Sequence, residues 1–305
     1  MYFQIIASGT AKHSLSQKIF EYLTENDHEC DIFYLKQKGV WSSNSPPNPR
    51  PDLKEWVIYP TSAYSSYRHP DLCLVRGVGT HIISHVFYRL DFMSILEELG
   101  VRLINSRRCM EISTNKMLTT LLLHKNGILS PETAMCETSE KAMNAFMNLG
   151  EDIILKPLYG ARGKDIIRLN NNKHAKFVFE QLEALQEIFY IQKFYEHGNS
   201  DYRLFVVADQ VIASMKRTSN TWKNNIATGG IAEKYNPSEE MKELAIRTCK
   251  IVGGNIMGVD IMETEKGLMV IEVNAVPGYQ GIQEANPEIN IPQIIGNYLI
   301  KEAKK

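Results

Sequence analysis

Paired cysteines, long apolar runs and an excess of charge of one sign are all missing from this sequence. Its five cysteines are widely spaced and include no C-x-x-C pair, which indicates reduced thiols in a reducing compartment. No apolar run approaches the length of a membrane span, and the first residues lack a signal-peptide pattern. We therefore expect a cytoplasmic protein with no membrane partner. The cysteines are Cys30, Cys73, Cys109, Cys136 and Cys249.

Several common binding and catalytic motifs are absent as well. The formal net charge of −1 leaves no concentrated basic surface for a nucleic-acid partner. Gly9 stands alone after the first apolar run, so the G-x-G-x-x-G pattern of a nicotinamide dinucleotide site is missing. The chain has no G-x-S-x-G motif and no evident Cys/His catalytic pair, and we interpret Cys109 and His124 as structural. Nicotinamide-dependent and nucleophilic enzymes are therefore disfavoured.

The pattern of apolar residues predicts an α/β protein of two or three domains. The strand "YFQIIASGT", a helix from Ser14 to about Glu25 and the strand "CDIFYL" form a βαβ unit, so a parallel sheet is expected at the start. The segment from Gly39 to about Pro70 is rich in Pro, Ser, Asn and Tyr, which predicts an irregular surface excursion. The strand "DLCLVRG", a helix near residues 81–99 and the strand "VRLIN" complete this part.

Beyond Asn105 the pattern changes to helices and antiparallel hairpins. One hairpin is expected in "DIILKPLYGARGKDIIRL" and another in "DYRLFVVADQVIASMKR", whose tip is Ala208-Asp209-Gln210. The strand "EIFYIQKFYE" lies between them, and a loop is expected from Thr218 to Tyr235. The last elements are a helix to about Val252, a hairpin centred near Lys266 and a helix from about Ile291.

The stretch "GVDIMETEKGLMVIEVNAVPG" places polar residues inside two strands that otherwise look buried. Side chains alternate along a strand, so Glu272 and Asn274 share a face, and the hairpin places Asp260 opposite Glu272. A buried carboxylate without a partner costs several kcal/mol, so we expect a shared cation. Carboxylate and amide oxygens suit Mg²⁺. The alternative is a solvent-facing strand, although apolar residues on both faces count against it.

Lysine and arginine residues near glycine-rich and polar loops are candidates for binding phosphate. Lys156 ends an apolar strand before Gly160 and Gly163, and glycines permit close backbone approach to an anion. Arg217 and Lys223 flank a Thr/Ser/Asn-rich loop and could neutralise developing phosphate charge. The alternatives are a lysine whose stem covers a sheet edge and an ordinary charged loop.

The order of these motifs resembles the ATP-grasp superfamily, and within it the RimK-type carboxylate–amine ligases. The resemblance rests on Lys116, on Lys156 with its glycine loop, and on the series "IQKF", "DYRLFVV", "WKNNIATGG" and "GVDI…VIEVNAVPG". It is dense from about residue 105 to 281 and thinner before that. It implies a pre-ATP-grasp α/β domain over 1–105, a central ATP-grasp half over 106–190 and a C-terminal half with the magnesium site over 191–305.

The resemblance also implies roles for individual residues. Lys116 and Lys156 match lysines that reach the nucleotide phosphates, Lys193 and Phe194 border the adenine largely through the backbone, and Asp201 takes the ribose hydroxyls. Near the γ-phosphate and acyl-phosphate it implies Arg217, Lys223 and Asn225. The implied magnesium ligands are Asp260, Glu272 and Asn274, with Glu272 bridging two ions for which Mn²⁺ is the expected substitute.

The sequence departs from the family pattern at a few positions. Ala161 and Asp165 stand where the phosphate-covering loop usually has a small hydroxyl residue and a glycine. Lys223 replaces a common arginine and loses its bidentate fork, and Thr228 replaces another basic residue. These changes affect the loop contacts and the choice of amino acid rather than the metal site.

The implied activity is an ADP-forming ligation through an acyl-phosphate, in a homodimer or homotetramer. The expected amine is L-glutamate, and the acceptor carboxylate belongs to a small molecule such as a pterin or deazaflavin coenzyme, tetrahydromethanopterin among them, or to a protein C-terminus. Alternatives are a ligase that adds another amino acid to an acidic carrier protein, a dipeptide ligase, and a non-catalytic ATP-binding protein. For the acceptor we consider Arg76 with the segment Tyr64 to His69, whose alternative is a packed surface loop.

Overall fold

A computed structural model describes residues 1–7, 14–35, 39–41, 56–58, 69–78, 82–159, 166–222 and 230–305 of the chain. These residues form an α/β part with a parallel sheet and an α+β part with antiparallel sheets. The helices are α1 Leu15–Glu25, α2 Ile83–Glu98, α3 Arg107–Thr114, α4 Lys116–Lys125, α5 Ser139–Asn148, α6 Asn172–Ala184, α7 Glu239–Val252, α8 Gln280–Ala285 and α9 Ile291–Ala303. The strands are β1 Tyr2–Ala7, β2 Glu29–Tyr34, β3 Gly39–Trp41, β4 Trp56–Ile58, β5 Leu72–Arg76, β6 Leu103–Ile104, β7 Thr133–Cys136, β8 Ile153–Lys156, β9 Ile167–Leu169, β10 Phe189–Lys193, β11 Ser200–Val207, β12 Gln210–Thr218, β13 Ile231–Lys234, β14 Ile256–Thr264 and β15 Gly267–Asn274.

The chain divides into two compact units, which are described separately. The first unit comprises 1–78, 84–107 and 292–305, and the second comprises 79–83 and 108–291. The expected boundaries after residues 105 and 190 stay predictions. In the described part of the chain, no helix combines the length and the apolar character needed to cross a membrane.

The first unit is built on the parallel sheet that the sequence predicts. Its strand order is β2-β1-β5-β6, and every neighbouring pair in it is parallel. Helix α1 begins after Ser14, whose side chain accepts a hydrogen bond from the Gln17 N–H at 3.3 Å. Its residues Leu15, Ile19 and Leu23 recur every four positions and are buried, so the helix covers the core with one face. The predicted βαβ opening is confirmed.

A second small sheet lies within the expected surface excursion. Strands β3 and β4 pair in parallel within the segment from Gly39 to Pro70, which the sequence predicts to be irregular. Three-residue strands are too short to produce a period-two pattern, so the sequence gives little sign of them. The same reason applies to β13, which occupies part of the loop expected from Thr218 to Tyr235.

The second unit contains two antiparallel sheets. The central sheet has the order β7-β10-β8-β9, and the C-terminal sheet has the order β13-β12-β11-β14-β15. Helices α5 and α6 cover one face of the central sheet through a core that includes Phe146, Phe179 and Phe189. Alternation along β8 and β10 therefore directs Lys156 and Gln192 to the opposite face. The hairpins predicted at β8–β9, β11–β12 and β14–β15 are all present.

Candidate functional site

Three polar residues come together on one face of the β14–β15 hairpin. Asp260 lies directly opposite Glu272 in the antiparallel register, and Gly258 lies opposite Asn274. Because residues two apart on a strand share a face, Glu272 and Asn274 point to the same side. A register shift follows Asp260, so the regular pairing is interrupted next to this residue. The hairpin that the sequence predicts therefore places these side chains together.

The carboxylate of Asp260 is buried and is held by two arginines. Its Oδ1 accepts a hydrogen bond from Arg203 Nε at 2.7 Å, and its Oδ2 accepts from Arg203 Nη2 at 2.6 Å. The guanidinium Nη2 of Arg217 lies 3.0 Å from the same Oδ2. Burial alone raises the pKa of Asp260, but the two guanidinium groups outweigh it and lower the pKa to about 2. Contrary to the expectation from the sequence, this buried acid does not need a metal ion to be tolerated, because Arg203 and Arg217 already neutralise it.

Arg217 links Asp260 to a second predicted site residue, Asp201. These two residues are opposite each other in the β11–β12 register, and Arg217 Nε donates to Asp201 Oδ1 at 2.6 Å. Burial acts to lower the pKa of Arg217, but the charges of Asp260 and Asp201 prevail and raise it. Arg217 therefore remains charged between two carboxylates. The residues expected at the ribose and at the γ-phosphate contact one another directly.

The residues on this hairpin fit a magnesium ion. Asn274 Nδ2 is buried and has no hydrogen-bond partner within the described residues, and rotating the amide would place Oδ1 there instead. Glu272 is half-buried, and no described residue donates a hydrogen bond to its carboxylate. Three of the roughly four lone-pair positions of Asp260 are occupied by arginine contacts, which leaves one free on Oδ1. Two carboxylates and one amide oxygen form the sparse set of hard donors that Mg²⁺ accepts.

The described part of the chain does not offer a richer set of metal ligands than this one. No group of three or more His, Cys, Asp or Glu side chains within it is placed to hold an ion. A site with only two carboxylates needs further oxygen ligands, and nucleotide phosphates are the usual source for Mg²⁺.

Two lysines from other elements are within electrostatic reach of Glu272. Lys156 ends β8, and its Nζ donates to Gln192 Oε1 at 2.6 Å. Burial lowers the pKa of Lys156 to about 8, Glu272 and Asp260 oppose this shift, and nearby Lys116 adds to it. Burial likewise lowers the pKa of Lys116, again opposed by Glu272. Both predicted phosphate-binding lysines are therefore electrostatically coupled to Glu272.

Lys116 begins a helix whose position is fixed by its cap. The side chain of Asn115 accepts hydrogen bonds from the N–H groups of Met117 and Leu118 at 3.0 and 3.3 Å. This cap places Lys116 in the first turn of α4, and a lysine side chain on a helix is usually exposed to solvent. The structure instead gives it a half-buried position.

A buried amide that the sequence analysis missed supports Lys156. Gln192 belongs to the "IQKF" segment and is 3% exposed. Its Nε2 donates to Thr133 Oγ1 at 3.0 Å and to the Tyr190 hydroxyl at 2.8 Å, which fixes its Oε1 toward Lys156. The sequence feature that could have identified Gln192 is that it is a polar residue within an otherwise apolar strand. Arg203 was missed in the same way, although it lies two residues after Asp201 on the same strand face.

Lys193 and Phe194 lie where the central sheet ends. Their backbone N–H groups donate to the carbonyl oxygens of Glu132 and Asp152, each at 2.9 Å. An adenine contact made through this backbone would therefore use the carbonyl oxygens. The ring of Phe194 is contacted by the guanidinium of Arg168, whose Cζ lies 3.5 Å from the ring centroid. Arg168 is another residue that the sequence analysis missed.

The remaining predicted site residues cannot be joined to this group. Gly160, Gly163, Lys223 and Asn225 lie outside the described residues, as do the altered positions Ala161, Asp165 and Thr228 and the segment residues Tyr64, Tyr67 and Arg68. Arg76 belongs to the first unit, where it ends β5, and burial lowers its pKa to about 10. Its expected contact with an acceptor stays a prediction.

Comparisons with known proteins find similarity over most of the chain. A family model described as a RimK-like ATP-grasp domain matches residues 113–299. The tetrahydromethanopterin:alpha-L-glutamate ligase of Methanococcus maripaludis is 34% identical over 236 residues, which are 76% of this chain and 79% of that protein. A probable alpha-L-glutamate ligase of Shewanella loihica is 31% identical over 235 residues, which are 76% of this chain and 77% of that protein.

Solved structures confirm the predicted fold. The ATP-grasp ligase PsnB, in complex with a minimal precursor, Mg and ADP, gives a TM-score of 0.72 at 21% identity and covers 99% of this chain and 98% of its own. A RimK domain ATP-grasp protein from Sphaerobacter thermophilus gives a TM-score of 0.70 at 17% identity, over 98% and 100% of the two chains. At these identities the similarity establishes the architecture alone.

Proposed function

Because the chain belongs to the RimK-like ATP-grasp family, we propose that it adds L-glutamate to a carboxylate in an ADP-forming reaction. It is an ATP-grasp ligase of the class that forms C–N bonds. The observation that carries the proposal is the placement of Lys116 and Lys156 within electrostatic reach of Glu272, on the hairpin that also carries Asp260 and Asn274. These groups bind phosphate and a divalent cation.

Nucleotide binding is assigned to residues of the second unit. Lys116 and Lys156 would contact the ATP phosphates, Arg217 would neutralise charge near the transferred group, and Asp201 would take the ribose hydroxyls. In this arrangement Asp201 and Arg217 are bonded to each other, so their nucleotide contacts would add to that ion pair or replace it. The proposal also assigns phosphate contacts to four residues outside the described ones, Gly160, Gly163, Lys223 and Asn225. Lys193 and Phe194 would border the adenine.

The proposed chemistry proceeds in two steps. A carboxylate oxygen of the acceptor attacks the γ-phosphorus of ATP. The bond between the γ-phosphorus and the oxygen that bridges it to the β-phosphate breaks, so that ADP departs and an acyl-phosphate is formed. The glutamate amine then attacks the acyl carbon, loses a proton and displaces inorganic phosphate, which gives an amide. Asp260, Glu272 and Asn274 would hold Mg²⁺, replaceable by Mn²⁺, and the ion would supply Lewis-acid stabilisation of phosphoryl charge. Lys116, Lys156 and Arg217 would orient the phosphates and offset their charge.

The acceptor is proposed from the relatives. Three proteins at 32 to 34% identity are named tetrahydromethanopterin:alpha-L-glutamate ligase, and others are named probable alpha-L-glutamate ligase. These names favour a small-molecule carboxylate, with a pterin coenzyme as the first acceptor to try. The alternative is ligation to a carboxylate of a peptide or protein, because the structural neighbour PsnB was solved with a precursor peptide. A cytoplasmic homodimer or homotetramer remains part of the proposal.

The test is a direct assay of ligation. Purified protein with Mg²⁺, ATP and L-glutamate is incubated with tetrahydromethanopterin or with fractions of an extract of its source cells. Phosphate release is followed, and mass spectrometry detects products heavier by one glutamyl residue. Such a product with equal phosphate release is the expected result, and the Glu272→Gln protein is the control for a contaminating ligase.

Other results of this assay would redirect the proposal. If turnover depends on another amino acid, the proposed mechanism stands and that amino acid takes the place of glutamate as the amine substrate. ATP binding without turnover in any fraction would favour a non-catalytic nucleotide-binding protein.

A further inference from the structure

Three residues at the edge of the central sheet form a closed set of contacts. Asp152 precedes β8, Arg168 lies in β9 and Phe194 follows β10. The Asp152 carbonyl accepts a hydrogen bond from the Phe194 N–H at 2.9 Å. The Asp152 carboxylate accepts from Arg168 Nε at 2.8 Å and from Arg168 Nη2 at 2.6 Å. The guanidinium of Arg168 covers the Phe194 ring, with Cζ 3.5 Å from the centroid. Each residue therefore contacts the other two.

This set fixes the position of the Phe194 ring and of its backbone. A bidentate bond holds the guanidinium in one plane, which is also what stacking on an aromatic face requires. The rings of His197 and Trp222 pack against Phe194 in T-shaped arrangements, with centroid separations of 5.9 and 6.4 Å. Phe194 is thus contacted on one face by Arg168, by two further rings, and at its N–H by the Asp152 carbonyl.

Phe194 lies just beyond the strand that carries Gln192, the partner of Lys156. Lys156, which is proposed to bind phosphate, is thereby linked through the Gln192 side chain to a strand that ends immediately before Phe194, the residue proposed at the adenine. Arg168 is the middle residue of β9. Its guanidinium plane can stack on Phe194 while its charge is balanced by Asp152 at 2.6 Å and, at a longer distance, by Glu196 at 3.7 Å.

We propose that Arg168, held by Asp152, is a positioning residue for recognition of the nucleotide base, because it fixes Phe194 and the adjoining backbone against which the base binds. This inference rests on the proposed function. It assigns Arg168 an effect on the affinity for the base and none on the phosphate contacts made by Lys116 and Lys156. Lysine at this position would retain the charge but lose the planar fork.

The experiment compares two probes that differ in having a base. Affinities for Mg²⁺·ADP and for Mg²⁺·tripolyphosphate are measured by calorimetry for the wild type, Arg168→Met, Arg168→Lys and Asp152→Asn. Arg108→Met is the matched control, because among the described residues the ion-pair partner of Arg108 is Glu111, in an exposed pair within the same unit. Thermal unfolding of each variant checks that it is folded.

We expect Arg168→Met to weaken ADP binding about fivefold to tenfold, a range in keeping with a partly buried cation–π contact, with tripolyphosphate affinity unchanged. Arg168→Lys and Asp152→Asn should give smaller losses of the same kind, and Arg108→Met none. Equal losses for both probes, or unchanged ADP affinity in Arg168→Met, would overturn the assignment. If the wild type itself fails to bind Mg²⁺·ADP, the proposed function fails first, so the two failures are distinguishable.

Discussion

At the scale of single residues, the acids of the β14–β15 hairpin have different surroundings. Asp260 is 1% exposed and is contacted by Arg203 and Arg217, whereas Glu272 receives no hydrogen bond from any described residue. The two guanidinium groups therefore fix the position of the Asp260 carboxylate before any ligand binds. Because no described residue donates to Glu272, we expect the proposed metal site to depend on this carboxylate most directly.

Replacing Glu272 by Gln tests this assignment. The amide has nearly the same shape but no charge, so it loses most of the attraction for a divalent cation. We expect ATP-dependent phosphate release to fall by at least a hundredfold, in line with the loss of an electrostatic stabiliser of the transferred group. Circular dichroism and the thermal midpoint should remain close to the wild type. Full residual turnover would show that Glu272 holds no catalytic metal.

The pKa of Lys156 predicts how nucleotide affinity depends on pH. Its value of about 8 in the unliganded protein means that the charged form predominates below pH 7 and is half lost near pH 8. A bound phosphate favours the charged form, so affinity should be flat below pH 7 and decline above pH 8 by up to tenfold per pH unit. Calorimetric titration with Mg²⁺·ADP from pH 6.5 to 9.5 measures this.

Lys156→Met provides the comparison for the pH series. This variant should bind Mg²⁺·ADP more weakly at pH 7, and its affinity should change less above pH 8. Lys116 also has a lowered pKa, so a residual decline in the variant is expected from that residue. An unchanged decline in Lys156→Met would assign the titration to another group.

At the scale of elements, α7 shows how local signals define a helix. Ser238 accepts a hydrogen bond from the Met241 N–H at 3.2 Å, and Glu239 and Glu240 follow in the first turn. The helix ends at Gly253, which adopts the left-handed conformation with φ of 75°. Its buried residues, Met241, Ala245 and Val252 among them, pack against the C-terminal sheet that carries the acids.

Removing this N-cap should destabilise the helix without touching the site. For Ser238→Ala we expect the free energy of unfolding to fall by about 1 kcal/mol, because the Met241 N–H loses its acceptor. Urea denaturation followed by circular dichroism measures the change, and Mg²⁺·ADP affinity at 25 °C should be unaltered. A replacement by Asp, which also caps, should restore the stability. No loss in Ser238→Ala would mean that water replaces the cap at no cost.

At the scale of the whole molecule, the chain leaves one compact unit and returns to it. Residues 292–305 belong to the first unit, where Asn297 accepts a hydrogen bond from the Tyr22 hydroxyl at 2.7 Å and Glu302 pairs with Arg102 at 3.2 Å. Arg76 and His69 lie in the first unit, and the other described candidate residues lie in the second. Ligand binding should therefore stabilise the second unit selectively.

A ligand that binds only the folded protein raises its stability by mass action. At a free Mg²⁺·ADP concentration of 100 times Kd, the expected gain is about 2.7 kcal/mol. Differential scanning calorimetry should show an upward shift of the transition that belongs to the second unit. Chelation of Mg²⁺ by EDTA should abolish most of this shift, as should Glu272→Gln. A shift that survives both would indicate nucleotide binding without a metal.

The features that could be predicted from the sequence depend on neighbouring residues along the chain, and those that could not depend on residues far apart in it. Alternation along a strand is local, so the shared face of Glu272 and Asn274 was predictable, as was the hairpin that brings Asp260 opposite. The N-terminal parallel sheet followed from the order of apolar runs and helices. Very short strands such as β3 and β13 were not predictable, because three or four residues carry no measurable period.

The sequence by itself determined the family, the order of the longer helices and strands, and the residue types of the site. Only the tertiary structure decided which residues contact each other across strands: Arg203 and Arg217 with Asp260, Gln192 with Lys156, and Arg168 with Phe194. The physical reason is that these pairs depend on register between strands up to 57 residues apart, and register is fixed by how whole sheets pack. Whether a buried acid needs a metal ion or already has a guanidinium partner is therefore a property of the folded chain.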